Sequence, residues 1–469
     1  FLFLDSYDFA SEGSENIQED NKPLINASVL GKVFEKINGY KDGSIYTPGF
    51  ITMYMCRQSI RLAVVQKFNE AKNWDIKSFE EIYNKIDDIN EANKIINDIK
   101  ICDPAVGSGH FLVSALNEII AVKSELKILS DTKGKRLKEY TVEVENDELY
   151  VTDEEGEIFD YKPQNKESQR IQETLFLEKQ TIIENCLFGV DINPNSVKIC
   201  RLRLWIELLK NAYYKEDSNY TELETLPNID INIKCGNSLL SRFSLDADLS
   251  KALKSIKYNI ESYRGFVADY KNEKNRDVKK GLQKIIDSIK SDFRTEISKN
   301  DPKQVKLKNL SGDLYNLLNQ GKLFELDSKQ KKNQKEKQQK LEADITKLSK
   351  EIDEIKTNAI YKTAFEWRFE FPEVLNNTGD FEGFDLLIGN PPYISAMDLK
   401  KSLPELTYRQ MKSDYQTAKG TVDLFIYFFE RGLNLIKKGS PLSYITPNRY
   451  LSASYGEALR EFLFKQSQI

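Results

Sequence analysis

Residues 99–120, IKICDPAVGSGHFLVSALNEII, constrain the fold more than any other stretch of the chain. A short apolar run ends at Asp103, a loop of small residues carries Gly107 and Gly109, and an apolar helical pattern starts at His110. This is the strand, loop and helix order of an open α/β sheet, in which a nucleotide-type ligand sits in the crevice at the strand ends. A second apolar run, CLFGVDIN at 186–193, ends at Asp191 and leads into the helical pattern SVKICRLRLWIELLK at 196–210. Asp191 follows the glycines at much more than the ~20 residues of a simple dinucleotide unit, so a segment is inserted between the two strands. A third strand is expected in DINIKCGNSLL at 230–240.

The insertion shows itself at 139–160, EYTVEVENDELYVTDEEGEIFD, where β-formers alternate, turn residues interrupt them, and no Lys or Arg occurs. This reads as an acidic hairpin that faces away from any polyanion. From about 245 to 360 the chain turns Lys/Glu/Gln-rich and helical, and Leu341, Ile345, Leu348, Ile352 and Ile355 recur at spacings of four and three, enough for a helical hairpin. The run KQKKNQKEKQQK at 329–340 reads as a solvated helix face, with contact to phosphates as the alternative. Aromatic, core-like composition returns in FEWRFEFPEVL at 365–375. Upstream, residues 24–38 and 66–98 have helical spacing, and in YTPGF at 46–50 Thr47 is placed to cap a helix with Pro48 at its first position.

Composition removes several functional classes. With a net charge of −5 the chain has no overall basic signature, so nucleic-acid binding must be local. Its five cysteines form no C-x-x-C pair, which argues against a zinc site and a disulfide framework and for a reducing, cytoplasmic compartment. The single histidine, His110, excludes multi-histidine metal sites and makes any histidine-based nucleophile depend on one residue; packing is its simpler role. No apolar run reaches the ~20 residues of a membrane span. The chain begins at Phe1 and ends in an uncapped helical pattern, EFLFKQSQI, which suggests a piece of a longer protein.

The loop at 103–109, DPAVGSG, lacks the Lys of a P-loop, and Leu112 occupies the place of the third glycine of a dinucleotide fingerprint. An adenosine-bearing cofactor of another kind, with Asp103 beside its polar end, remains as the functional alternative to an ordinary tight turn. Asp191 is placed either to accept ribose hydroxyls or to cap the following helix. A second site is signalled by GFDLLIGNPPYISAMD at 383–398, where an apolar run stops at Asn390, Pro391, Pro392 and Tyr393. The Asn390 side-chain carbonyl and the Pro391 main-chain carbonyl make a pair of acceptors, held by residues that fix φ and donate no N–H. Such a pair suits an NH₂ group. An exocyclic amine on an aromatic base is a weak nucleophile, and accepting both hydrogens favours the form whose lone pair can attack, while Tyr393 stacks on the ring. A Pro-rich turn with a surface tyrosine is the structural alternative.

Taken in order, YTPGF, DPAVGSGHFL, FGVDINP, IKCGNSLL, FDLLIGNPPY and GSPLSYITPNRYL resemble the adenine-N6 DNA methyltransferases of the gamma motif arrangement. The chain is most similar to the Eco57I-like type IIG restriction-modification enzymes, in which segments like FEWRFEFPEVL also precede the catalytic strand. The resemblance covers roughly residues 24–120, 180–242 and 362–469 and implies an α/β, Rossmann-like methyltransferase sheet of the seven-stranded type. By implication Thr47 and Pro48 lie near the methionine end of S-adenosylmethionine, with Asp103, Ala105, Gly107 and Gly109 around it. Asp191 would hold the ribose, Ile192 would flank the adenine, and Asn237 would meet the adenine edge where relatives commonly carry Asp. Asp423, Leu424 and Phe428 would supply the pocket wall.

The expected organisation is a mainly helical region over 1–98 that includes the 46–50 motif, then a cofactor-binding half over 99–242 with the acidic insert at about 121–180. A helical insertion over 243–361 follows, and a catalytic half over 362–469 stops before a target-recognition domain. The resemblance implies double-stranded DNA as partner, with target recognition and any nuclease outside this chain, since no Asp…Glu-x-Lys constellation is found. Two rival readings are a protein glutamine-N5 methyltransferase, which also uses Asn-Pro-Pro-Tyr, and a catalytically idle DNA-binding or assembly subunit.

Overall fold

The computed structural model describes residues 47–467 except 146, 228, 230, 231, 246–257, 301, 324–327 and 358–362. The helix expected at 24–38 lies outside the described residues. The chain forms two compact units, one from residues up to Leu239 and from Glu382 onward, the other from Leu240–Phe381.

The first unit is an α/β sheet with the Rossmann-like parallel arrangement. Its strands are β1 (Ile101–Asp103), β4 (Leu187–Asp191), β5 (Ile233–Cys235), β6 (Leu386–Gly389) and β7 (Leu442–Tyr444), in the spatial order β5-β4-β1-β6-β7 with every pairing parallel. The central strands are short unbroken apolar runs because both faces of a parallel sheet are covered by helices, and β1 and β6 are buried throughout. The chain builds outward from β1 through β4 to β5, then returns to lay β6 on the other flank of β1. The order of building therefore reverses between β1 and β6, and the crevice at their carboxyl ends is where such sheets take ligands. The β6 strand is anchored at its start by Asp385, buried yet satisfied by Lys67, by Lys437 Nζ at 2.8 Å and by the Lys100 N–H at 2.7 Å. Pairing of this kind offsets the cost of burying the charge.

Helices α1 (Gly49–Lys72), α2 (Glu80–Tyr83) and α3 (Ile89–Asn97) precede β1. The amphipathic stretch expected over 66–98 is thus broken: Asn73, at φ 53°, closes α1 in the left-handed conformation, and Trp74 folds back to stack on Phe68 at 5.7 Å. Helix α4 (His110–Glu125) runs from the glycine loop through the middle of the core, with nearly every residue buried. The acidic insert is an antiparallel hairpin, β2 (Tyr140–Glu145) with β3 (Glu148–Asp153), and Val142 opposite Val151 is its buried pair. Helix α5 (Lys166–Asn185) returns the chain to β4, and α6 (Pro194–Leu209) links β4 to β5.

The second unit contains α7 (Ile260–Asn272), α8 (Arg276–Asn300), α9 (Pro302–Leu323), α10 (Ser328–Thr357) and the short α11 (Trp367–Glu370). The expected helical hairpin is α9 against α10, where Gln334 Nε2 donates to Leu317 O at 2.8 Å and Leu348 is buried. Lys332, Lys335, Lys337 and Lys340 of the basic run are exposed on α10. The aromatic segment at 365–375 is the core of this unit: Phe369 stacks on Phe293 at 5.9 Å, and Tyr263 Oη donates to Phe369 O at 2.6 Å. After β6 the first unit continues with α12 (Ala396–Ser402), α13 (Glu405–Asp414), α14 (Leu424–Leu435) and, beyond β7, α15 (Glu457–Gln466).

Candidate active site at the ends of β1, β4 and β6

Asp103 ends β1 with its side chain 2 % exposed, and its Oδ1 accepts the Ala105 N–H at 3.0 Å. Burial pushes its carboxyl up to about 8, the Ala105 hydrogen bond opposes this, and repulsion from Asp191 adds to it. The neighbouring strand meets it closely, since a Cβ on Gly389 would lie 2.6 Å from Asp103 Oδ1. A side chain at 389 would therefore displace the Asp103 carboxylate. The loop that follows β1 turns through Gly107 (φ 52°) and Gly109 (φ 81°), and a side chain at 109 would strike Cys200 Sγ at 2.5 Å.

Asp191 ties this loop to β4. Its Oδ2 accepts the Gly107 N–H at 2.9 Å and its Oδ1 accepts the Asn193 N–H at 2.7 Å. The capping role weighed for Asp191 falls instead to Asn193, whose Oδ1 takes the Asn195 N–H at 2.9 Å at the start of α6. Ile192 is 58 % exposed, an apolar surface offered at a strand end. Asn237, after β5, uses its Oδ1 to accept the Leu239 N–H at 3.0 Å.

Asn390 follows β6, and its Nδ2 donates to Thr47 Oγ1 at 2.9 Å. This corrects the expectation that Thr47 caps a helix. Pro48 is the N-cap residue of α1, no side chain caps that helix, and the Thr47 hydroxyl receives the amide that follows β6. Pro391 is buried, and Tyr393 is half-buried with its hydroxyl pushed up to about 12 by burial. The loop after Tyr393 is clamped by the start of α14: Asp423 Oδ1 accepts the Ala396 N–H at 2.9 Å, and Leu424 N donates to Ile394 O at 3.0 Å.

A cavity of about 390 Å³ opens at these strand ends. Of the residues singled out in the sequence, Thr47, Asp103, Ala105, Gly107, Asp191, Ile192, Asn237, Asn390, Pro392, Leu424 and Phe428 line it. Pro48, Gly109, Pro391, Tyr393 and Asp423 adjoin these residues in the chain but are not part of the lining. Sequence reasoning missed an apolar wall of Leu399 from α12, Leu403 just after it and Met411 from α13, helices too short to show a periodicity. It also gave His110 a packing role, whereas His110 is part of the lining.

The lining contains Asp103, Asp191 and Asp398, and no lysine or arginine among the described residues. With three carboxylates and no basic side chain to meet phosphate groups, this lining disfavours a polyphosphate and favours a cation with an apolar ring. S-adenosylmethionine, a sulfonium and an ammonium on an adenosine frame, fits that set and a volume within the ~300–1,000 Å³ of small-molecule sites. Among the described residues no cluster of His, Cys, Asp and Glu is arranged to hold a metal ion, and no helix is long and apolar enough to cross a membrane.

Comparison with known proteins places residues 185–469, more than half of the chain, under the family model described as Eco57I restriction-modification methylase. Over 98% of its length the chain is 28% identical to a putative type II restriction enzyme and methyltransferase of Methanocaldococcus jannaschii, and it spans 37% of that relative. A shorter match, 17% of the chain and 8% of the relative, is 35% identical to the type II restriction enzyme and methyltransferase RM.Eco57I of Escherichia coli. The type II methyltransferase M.PaeR7I of Pseudomonas aeruginosa is 34% identical over 18% of the chain and 15% of its own length.

Proposed function

The chain belongs to the Eco57I restriction-modification methylase family, and from that premise we propose that it carries the methyl-transfer site of a site-specific DNA methyltransferase acting on the N6 amino group of adenine. The observation that carries this reading is the position of Asn390 and Pro391 at the end of β6, beside an acidic cavity suited to a cationic adenosine cofactor. Asp103, the Gly107 turn, Asp191, Ile192, Asn237 and Phe428 hold S-adenosylmethionine. When bound, it supplies an electrophilic methyl group on its sulfonium, so the protein's task is positioning.

Asn390 Oδ1 and Pro391 O accept the two hydrogens of the target amine and favour a localised lone pair aimed into the cavity. Tyr393 stacks on the adenine, which reaches this depth only by leaving the duplex. Thr47 orients Asn390: by accepting from Nδ2, it leaves Oδ1 as the atom turned to the substrate. No group of the chain forms a covalent intermediate. Double-stranded DNA is the partner, the cytoplasm the compartment, and target recognition with any cleavage activity belongs to parts of the protein beyond these residues.

The test is incubation of the protein with S-adenosylmethionine and unmethylated plasmid DNA, followed by nucleoside mass spectrometry. N6-methyladenine that appears with the wild type and vanishes with Asn390→Ala is the expected result. Methyl label found on a protein glutamine, with no methylated base, would transfer the role of Asn390 to an amide substrate and refute the DNA reading.

A further inference from the structure

We propose that the acidic hairpin β2–β3 is part of the scaffold of the cofactor cavity, and that Asp147 at its tip is a positioning residue for His110 and for the start of α1. The inference rests on the reading of that cavity as an S-adenosylmethionine site.

Helix α4 is buried almost throughout, and its first half is apolar except for one stripe: His110, Ser114 and Asn117, at spacings of four and three, share a face. All three converge on Asp147. His110 Nε2 lies 3.0 Å from Asp147 Oδ2, the Ser114 hydroxyl donates to Asp147 Oδ1, and Asn117 Nδ2 donates to the Asp147 main-chain carbonyl at 2.9 Å. From α1, Met53 Sδ receives the Asp147 N–H. Asn117 is 0 % exposed, and without the hairpin tip its amide would lose the partner that offsets its burial. Asp147 makes these contacts from a left-handed backbone, φ 68°, which non-glycine residues adopt rarely and keep where the surroundings hold them there. The hairpin's other acids make it a poor surface for DNA, in keeping with a role turned inward.

The contacts reach the cavity by two routes. His110 is itself part of the lining. Ser114 Oγ also lies 3.0 Å from Thr52 Oγ1, and the Thr52 hydroxyl donates to Gly49 O at 2.8 Å, in the first turn of α1. Two residues earlier stands Thr47, which receives the Asn390 amide. A Cβ built on Gly49 would lie 3.7 Å from Asp147 Cβ and 3.9 Å from His110 Nε2, so the hairpin tip, α4 and α1 meet at one point.

The experiment is calorimetric titration of the protein with S-adenosylmethionine for the wild type, Asp147→Ala, His110→Ala, the double variant and Asp147→Asn, with thermal denaturation of each. Loss of a tie worth one hydrogen bond to a charged group corresponds to about a tenfold rise in Kd for Asp147→Ala. His110→Ala should give a similar rise, the double variant about the same rise and not the product of the two, and Asp147→Asn, which keeps an acceptor for Ser114, a smaller one. Glu143→Gln with Glu145→Gln, which removes two exposed charges from the same hairpin but none of the Asp147 contacts, should leave Kd unchanged. The proposal is overturned if Asp147→Ala lowers Tm but not affinity, if the two effects multiply, or if the Glu143/Glu145 control moves Kd as far. A wild type that binds no S-adenosylmethionine would instead refute the cofactor reading beneath it.

Discussion

Replacing Thr47 by Val separates two roles that its position allows. The side chain is the same size, so packing at the cavity mouth is kept, but the acceptor of the 2.9 Å bond from Asn390 Nδ2 is gone. A neutral hydrogen bond contributes about 0.5–1.5 kcal/mol, and a donor left without a partner in a partly buried site costs about 1–3 kcal/mol. With the amide no longer held, its carbonyl and NH₂ ends compete for the substrate side, and only one orientation offers an acceptor. A loss of about 1–2 kcal/mol at the transition state follows, which is roughly a 5- to 30-fold fall in rate. The assay is single-turnover methylation with enzyme in excess and cofactor saturating, beside calorimetric Kd values for S-adenosylmethionine on the same preparations. Thr47→Val should slow methylation by that factor with Kd within about twofold of wild type, and Thr47→Ser, which restores the hydroxyl, should recover most of the rate. A Kd raised about tenfold with an unchanged saturating rate would refute the positioning role and return Thr47 to the cofactor's methionine end.

Asp103 holds its proton in the folded chain up to about pH 8, whereas an unfolded Asp releases it near about 3.9. In that window the folded state binds more protons than the unfolded one, so this residue makes stability fall as pH rises from about 4 to 8. Asp103→Asn, which keeps an acceptor for Ala105 N–H, should therefore gain more stability over wild type at pH 8 than at pH 5.5 in urea denaturation; an equal difference at both would refute the buried, protonated state. Gly109→Ala forces a Cβ to within 2.5 Å of Cys200 Sγ at φ 81°. It should cost about 1–3 kcal/mol from overpacking and lower Tm, with partial recovery on adding Cys200→Ala. A Gly109→Ala protein that melts like wild type would show that the loop packs loosely there.

The features legible in the sequence were those set by neighbours along the chain. The strands β1, β4 and β6 are apolar runs ended by a polar residue that marks the ligand side, and the glycine loop needs positive φ where Gly107 and Gly109 stand. What was not legible depends on partners distant in the chain. Local preference makes Thr47 a helix cap, yet its hydroxyl meets Asn390, 343 residues on, and that tertiary donor decides its role. Asp147 looks like any of its acidic neighbours in the hairpin; the signal lay in its partners, the polar stripe His110, Ser114 and Asn117 on a helix whose first half is otherwise apolar. Asp423 was expected in the pocket wall, but its carboxylate closes the loop after Tyr393 from behind.

The charge of the cavity links cofactor choice to turnover. Asp103 and Asp191 line one cavity with no lysine or arginine beside them among the described lining residues, so on the proposed reading the protein holds a cation there more strongly than a neutral molecule of the same shape. At an effective dielectric of about 20, a carboxylate several ångströms from a unit positive charge contributes on the order of 2–3 kcal/mol. A cation beside Asp103 also draws its carboxyl back toward the ionised state, which strengthens the attraction where burial alone had weakened it. Transfer of a methyl group removes the positive charge from sulfur and leaves a thioether, so the same carboxylates that favour the donor hold the spent cofactor less tightly. On the proposed reading, contact of the adenine with Ile192 and Phe428, both in the cavity lining, is unaffected by that change, because both molecules present the same ring. On that reading Ile192 and Phe428 set which ring is accepted, and the acids set the preference for the charged, methyl-bearing form of it.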